Sequence, residues 1–451
     1  MNEKTCQTIS SMDLLYPRYM VFCVFAASFT FFSTGWVTGS PNLPGAVTHL
    51  CEQGDLHVAN PVFPDCLPMG TSMWGFAVAS FCIGGLIGGI AGGTIQTRLG
   101  RRKAIMCNTI GYIVGGILIG VSVSPAMFVV GRIICGFSCG LGTVATPVYV
   151  GEIATIKSRG LMGTINQLMI CFGILATSLV GLPLSHVPLW RVNYALGAAP
   201  AILQAILMLF CTESPRYLVS INKIDLARTC LQKLRPGSDV TLELCSMIEG
   251  QLGSEAAAAY LASDGYFQSK IPSEETIMET ISDKEKVYGS DVSSQLPTPP
   301  PMYEQESKNQ MRSPMNVVEI FRDPIIRKIT CIVIFIHAAQ QLIGINAVMY
   351  YSTDMFGVVF DSNMASYMAI VCYAINVIST FPAIFLVDRL GRRVLLLVSE
   401  VGAVVCSILL AIGYIYNKGP LMVFSIFGYV FLFGVGIAPI PWILTSEVAP
   451  V

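Results

Sequence analysis

Ten long apolar runs recur along this chain, near 19–39, 73–95, 105–124, 127–150, 163–183, 194–211, 329–350, 365–387, 394–416 and 422–446. A helix needs roughly 20 apolar residues to cross about 30 Å of hydrocarbon. Inside lipid no water satisfies backbone polar groups, so each run must satisfy its own by being helical. The fold class that follows is an all-α polytopic membrane protein. Composition agrees, since only 12% of the residues are charged, against about 25% in soluble domains.

Net charge is −1, which gives no electrostatic footprint for nucleic acid. The placement of the cations is more informative. Residues 40–97 hold no Lys or Arg, while the next loop holds Arg98, Arg101, Arg102 and Lys103. Lys157 and Arg159 follow the fourth run, and Arg389, Arg392 and Arg393 follow the eighth. The opposite loops offer only Arg191 and Lys418. The positive-inside bias then puts the N-terminus and the arginine loops in the cytoplasm. The polar start, residues 1–18, reads as a cytoplasmic segment rather than a cleaved leader. Cys51 and Cys66 share the first outer loop, where a disulfide and two free thiols are both open readings.

The chain divides into a six-helix bundle at 19–211, a cytoplasmic loop at 212–328 and a four-helix bundle at 329–451. Within the loop, "NKIDLARTCLQKLR" sets Ile224, Ala227, Cys230, Leu231 and Leu234 on one helical face, and "TLELCSMIEGQL" offers a second amphipathic helix. The stretch near 264–312, with its Pro run, reads as disordered, and "SPMNVVEIFRD" as a short capped helix. The pentapeptide "RLGRR" at 98–102 returns at 389–393. Glu152, ending the fourth run, is matched by Glu447, ending the tenth, at nearly the same offset. The bundles are therefore expected to be repeats, an arrangement common among transporters that bind substrate between their halves. If the repeat is faithful, two helices are missing after Glu447, and an inactive truncated product is one reading.

Several motifs in register carry a resemblance: "STGWVTGSP", "RLGRR", "GRIICGFSCG", "PVYVGEI" with "SRG", "NQL", "ESPRYL", "QQLIGINAVMYYS", "DRLGRR" and "PIPW". The chain resembles the sugar porters of the major facilitator superfamily, and especially their facilitative hexose carriers. The resemblance implies two pseudo-symmetric helix bundles, the second incomplete at six plus four, and alternating-access transport of a monosaccharide. It implies a multi-pass protein of the plasma membrane, with no cofactor, no metal and no enzymatic step; its partners are a small sugar and the bilayer, those of the loop being undefined.

Carried over by motif, the sugar would meet Gln167, Gln340, Gln341, Asn346, Asn376 and Trp442. An amide donates and accepts together, which suits a hydroxyl, and an indole can lie against the apolar face of a pyranose. Ile170 and Ile174 follow Gln167 at i+3 and i+7 and share its face. The bland alternative is that these amides hold helices together. The resemblance also implies a cytoplasmic gate in which Arg101, Arg102, Arg159, Arg216, Arg392 and Arg393 meet Glu152, Glu213, Asp388 and Glu447. Arg132, early in the fourth run, is expected to brace its neighbours. Proton-coupled relatives carry an aspartate where Ser33 stands, so uniport is favoured over symport.

Three departures qualify the match: Thr97 stands where the family often has an acidic or amide residue before the pentapeptide, and the other two lie in the second half. "HAAQQ" at 337–341 differs from the glucose-type pattern, and Gly434 and Ala438 stand where the family often has a glutamate and a glycine. "GFSCG" at 136–140 matches a nucleophile elbow, but it lies in an apolar helix, so close packing explains it better. A sugar sensor without flux is the remaining rival.

Overall fold

A computed structural model of the chain describes residues 16–51, 63–155, 158–263 and 322–448. The N-terminal segment, the insertion near 264–312 and the "SPMNVVEIF" stretch lie outside the described residues. Among the described residues, ten helices are long and apolar enough to cross a membrane. They are α1 Arg18–Gly39, α2 Thr71–Leu99, α3 Arg101–Gly120, α4 Pro125–Ile153, α5 Arg159–Leu184, α6 Trp190–Leu209, α7 Ile326–Gly357, α8 Ser362–Leu390, α9 Arg392–Ile415 and α10 Gly419–Leu444.

Three of these spans are interrupted; α6 divides briefly into Trp190–Ala195 and Ala198–Leu209, and the other two breaks lie in the second half. Span α7 divides into α7a, Pro324–Leu342, and α7b, Ile345–Gly357. Gly344 at φ 97° and ψ 12° makes that break, a left-handed conformation that glycine adopts without a Cβ penalty. Span α10 runs as α10a, Gly419–Leu432, then a π turn at Phe433–Ile437, then α10b from Ile440 to Val448. Such wide turns release carbonyls from the regular ladder and recur at functional sites.

The N-terminal bundle is held by close backbone approach. A Cβ on Gly84 or Gly88 of α2 would overlap the carbonyls of Ile133 and Phe137, and a Cβ on Gly136 or Gly140 of α4 those of Phe81 and Gly85. The "GFSCG" and "IGGLIGG" stretches therefore face each other, and the small residues serve packing. Trp74, Phe128, Trp190 and Tyr194 build the aromatic core of this half. The core of the other half forms around Phe356, Tyr373, Tyr429 and Phe433, and Ile174 of α5 packs into it. The side chains of α7a and α9 remain largely exposed, as a lipid-facing surface would.

At one end, Cys51 and Cys66 form a disulfide. Leu67 N–H donates to the Thr48 carbonyl at 2.8 Å, and Trp190 Nε1 donates to the Asp65 carbonyl at 2.8 Å. The other end carries both RLGRR turns. We call these the disulfide end and the arginine end.

A second compact unit covers 218–319, of which 218–263 are described. It contains helices Ile224–Leu234, Thr241–Leu252 and Ser254–Ser263. Ala227, Leu231 and Leu234 are buried on the expected face, and Ala227 and Leu231 pack with Leu244, Ile248 and Ala257 around one small core.

Candidate functional site

The seam between the two halves concentrates the polar side chains. Gln167 of α5 is buried and donates through Nε2 to Cys171 Sγ at 3.6 Å. The Cys171 thiol meets Thr380 Oγ1 of α8 at 3.6 Å, and Thr380 donates to the Asn376 carbonyl at 2.9 Å. A continuous polar path thus runs from Gln167 to Asn376 across the halves. Asn376 is 3% exposed, and its Oδ1 has no hydrogen-bond partner.

Gln340 stands on the other side of the α10 break. Its Nε2 donates to the Ile437 and Ala438 carbonyls at 2.9 and 3.0 Å, while its buried Oε1 is unpartnered. Gly434, in the π turn of α10, lies beside Asn376. A Cβ there would overlap Ser379 Oγ and approach Asn376 Oδ1 at 3.4 Å. The glutamate common in the family would not fit, and its absence lets α8 approach the break. Trp442, on α10b, meets Phe31 of α1 at 5.8 Å and His337 of α7a at 5.0 Å between ring centroids, both edge-to-face. The seam is therefore lined from α1, α5, α7, α8 and α10.

Not every candidate joins this group. Gln341 is exposed and accepts from Asn346 Nδ2 at 2.8 Å, so the two satisfy each other beside the α7 break. Ile170 is half-buried and Ile174 fully buried, both against the apolar core of the second half. Arg132 is wholly buried in the N-terminal half. It donates to the carbonyls of Val37 at 2.7 Å and Val78 at 3.1 Å, with Phe81 beneath its guanidinium at 5.1 Å. These contacts tie α4 to α1 and α2.

At the disulfide end, a latch joins the halves that sequence reasoning missed. Asn42, just beyond α1, donates through Nδ2 to Ser352 Oγ at 2.8 Å and also to Tyr373 OH. Its Oδ1 accepts from Thr353 N–H at 3.2 Å, and Ser352 and Tyr373 share a 2.7 Å hydrogen bond. The only signal in the sequence was an amide directly after "GSP" and a serine after "YY". Neither has chemistry until α7b and α8 are brought to it.

At the arginine end, Arg101 holds Glu152 through two hydrogen bonds, Nε to Oε2 at 3.0 Å and Nη2 to Oε1 at 2.9 Å. Ser214 Oγ donates to the same carboxylate at 2.5 Å. Glu213 Oε1 accepts the backbone N–H groups of Arg102 and Ser214 at 2.9 and 3.0 Å. Arg102 donates to the carbonyls of Met208 and Leu209, both at 2.9 Å. These bonds all stay within the N-terminal half. Arg392 Nη1 donates to the Val387 carbonyl at 3.3 Å, and Arg393 is exposed. Arg159 carries a buried Nε without a partner, and Arg216 also has contacts in the structure. The side chains of Asp388 and Glu447 lie outside those described.

A family profile described as "Sugar (and other) transporter" matches residues 22–260 and 263–451. Among curated relatives, solute carrier family 2, facilitated glucose transporter member 2 of Bos taurus is 32% identical over 388 residues, 84% of this chain and 65% of the relative. Member 4 of Mus musculus is 31% identical over 469 residues, 98% of this chain and 79% of the relative. The chain thus spans a little under two thirds of the first and about four fifths of the second. Among solved structures, the xylose transporter XylE from E. coli in a partially occluded inward-open conformation matches with TM-score 0.64 and 22% identity, over 95% of this chain and 87% of that one. XylE bound to 6-bromo-6-deoxy-D-glucose matches with TM-score 0.66 and 23% identity, over 96% and 82%. At that identity the likeness shows the fold, that of the major facilitator superfamily.

Proposed function

The chain belongs to the sugar (and other) transporter family, whose members are carriers and not enzymes, and on that premise we propose that it moves a monosaccharide of hexose type across a membrane by alternating access. One observation carries the reading. Two buried amide oxygens, Asn376 Oδ1 and Gln340 Oε1, lack partners on either side of a broken helix at the seam. A buried acceptor left unpaired is costly, and a sugar hydroxyl donates to it directly. Gln167 and Trp442 supply further amide and aromatic surface from both halves. Gln341 and Asn346 join when their mutual bond opens; Ile170 and Ile174 form the apolar wall.

Transport requires the two ends to open in turn. The Asn42 latch closes the disulfide end. We assign that end to the extracellular side and the arginine end to the cytoplasm of a plasma-membrane carrier, with the N-terminus inside. The charged cluster Arg101, Arg102, Arg159, Glu152, Glu213 and Arg216, with Asp388, Arg392, Arg393 and Glu447, is the cytoplasmic gate in this scheme. Glu152→Gln is expected to raise the labelling of cytoplasmic-side cysteine probes, and unchanged labelling counts against the gate.

Facilitated uniport fits best. Ser33, where proton-coupled relatives carry an aspartate, is buried and neutral, and residues 14–51 contain no acid. The deciding measurement is uptake of labelled hexose into vesicles holding the purified chain. Saturable uptake, diminished in Asn376→Leu, is the expected result. Binding without flux would instead identify a sensor, and alkalinisation of the medium on sugar addition would identify a symporter.

A further inference from the structure

Within the N-terminal half, two carboxamides converge on one hydroxyl. Asn108 of α3 donates through Nδ2 to Thr30 Oγ1 of α1 at 3.2 Å. Gln204 of α6 donates through Nε2 to the same oxygen at 2.6 Å and to the Ala27 carbonyl at 3.1 Å. All three side chains are wholly buried. Span α4 closes the group with bare backbone, since a Cβ on Gly142 would overlap both Thr30 and Asn108. Yet Asn108 Oδ1 and Gln204 Oε1 each lack a hydrogen-bond partner.

Counting donors and acceptors shows what this group needs. The two amide nitrogens take both lone pairs of the Thr30 hydroxyl. Its one proton serves one carboxamide oxygen at most. Turning Asn108 over exchanges an unpaired oxygen for an unpaired NH2, so the count still does not close. The nearby Thr34 hydroxyl is spent on the Thr30 carbonyl and on Tyr112. Two amides anchored on one oxygen keep their other oxygens close to that hydroxyl. The missing member must therefore be small and must donate twice. An anion has no proton to give. A cation would find no carboxylate here and would face the amide NH2 groups. Water donates to both oxygens and accepts the Thr30 proton, the three bonds usual for a buried water.

We propose that one resident water bridges Asn108 Oδ1 and Gln204 Oε1 and fastens α1, α3 and α6 into a single body. The site has a consequence at the seam. Thr30 directly precedes Phe31, whose ring meets Trp442 of the other half. Holding Thr30 fixes the rotation of α1 about its own axis, and with it the placement of Phe31. The water is a structural ligand of the N-terminal half, and its presence does not depend on the transport reading.

The test begins with the full chain in lipid nanodiscs, imaged at a resolution that shows ordered water. The expected result is a density peak within about 3.2 Å of both Asn108 Oδ1 and Gln204 Oε1. A map with waters elsewhere in the N-terminal half but none here would overturn the proposal. So would the two amides bonded directly to each other. The midpoint of thermal unfolding in detergent supplies a second reading. Asn108→Leu and Gln204→Met should each lower it. Together they should lower it by clearly less than the sum, because the second change removes an oxygen that has already lost its bridge. Thr30→Val separates the water from the shared hydroxyl. In that background the two losses should remain non-additive. Losses that become additive there would mean that Thr30 alone couples the amides, and the water would be rejected. Should a variant fail to fold, the density in the unaltered chain decides the question.

Discussion

The two copies of RLGRR share five letters and one backbone, yet they have different surroundings. Gly100 sits at φ 91° and ψ 164°, Gly391 at φ 81° and ψ 154°. Both conformations belong to the region that only glycine visits readily. The first turn is packed tight. A Cβ on Gly100 would meet Glu213 Oε2 at 2.6 Å and Tyr217 at 2.7 Å, whereas a Cβ on Gly391 would meet nothing within 4 Å. Arg101 lies over the Tyr217 ring at 5.2 Å, and Tyr217 OH donates to the Arg98 carbonyl at 3.2 Å. The first copy owes these contacts to "TESPRY" at 212–217, which returns to the turn after α6. A local motif therefore sets the turn, and a segment about 110 residues away decides whether its arginines are clamped.

Six substitutions probe this contrast, each read as a change in unfolding free energy by detergent titration. Arg101→Ala should have the largest effect, about 3–5 kcal/mol, because it strands a mostly buried carboxylate; the two side chains are only 16% and 13% exposed. A cost below about 1 kcal/mol would reduce the pair to a surface ion pair. Gly100→Ala comes next. It should cost more than Gly391→Ala, which carries only the backbone strain of about 1–3 kcal/mol. Adding Glu213→Ala should narrow that gap; an unchanged gap would mean the packing around Gly100 is not what separates the turns. Arg102→Ala should cost about 1–2 kcal/mol through the loss of its two carbonyl bonds. Arg393→Ala, at the matching position, should stay within about 0.5 kcal/mol. Equal losses at these last two positions would erase the asymmetry.

A further test sharpens the contrast between the ends rather than the turns. Asn42→Ala removes three hydrogen bonds that cross between the halves. Accessibility of cysteine probes at the disulfide end should rise about tenfold, the equivalent of 1.4 kcal/mol, with little change in detergent stability.

Much of this was legible before any coordinates. The ten apolar runs became ten spans, because lipid leaves a chain no other way to satisfy its backbone. The amphipathic helices of the loop appeared at "IDLARTCLQKL" and "TLELCSMIEGQL", since a small soluble core needs the 3.6-residue stripe. Cys51 and Cys66, left open between disulfide and free thiols, proved to be bonded. The site was legible only in part. Motif resemblance marked Gln167, Gln340, Asn376 and Trp442, and the fold brings these to one seam. It marked Gln341 and Asn346 equally, yet they pair with each other in an exposed position. Nothing in the letters separated Gln340 from Gln341. Adjacent residues on a helix point about 100° apart, and only the break in α10 decides which of them is buried.

The sequence by itself determined the membrane class, the number of spans, the internal repeat and the glycine turns, because hydrophobic length and backbone sterics act locally. Only the tertiary structure decided that Asn42 closes one end, that Gln340 holds the broken helix, and that Gly100 is closely packed while Gly391 is not. Those outcomes depend on hydrogen bonds between residues from 51 to 331 positions apart. The worth of such a bond is set by what the opposing helix presents, and no single stretch of chain encodes it.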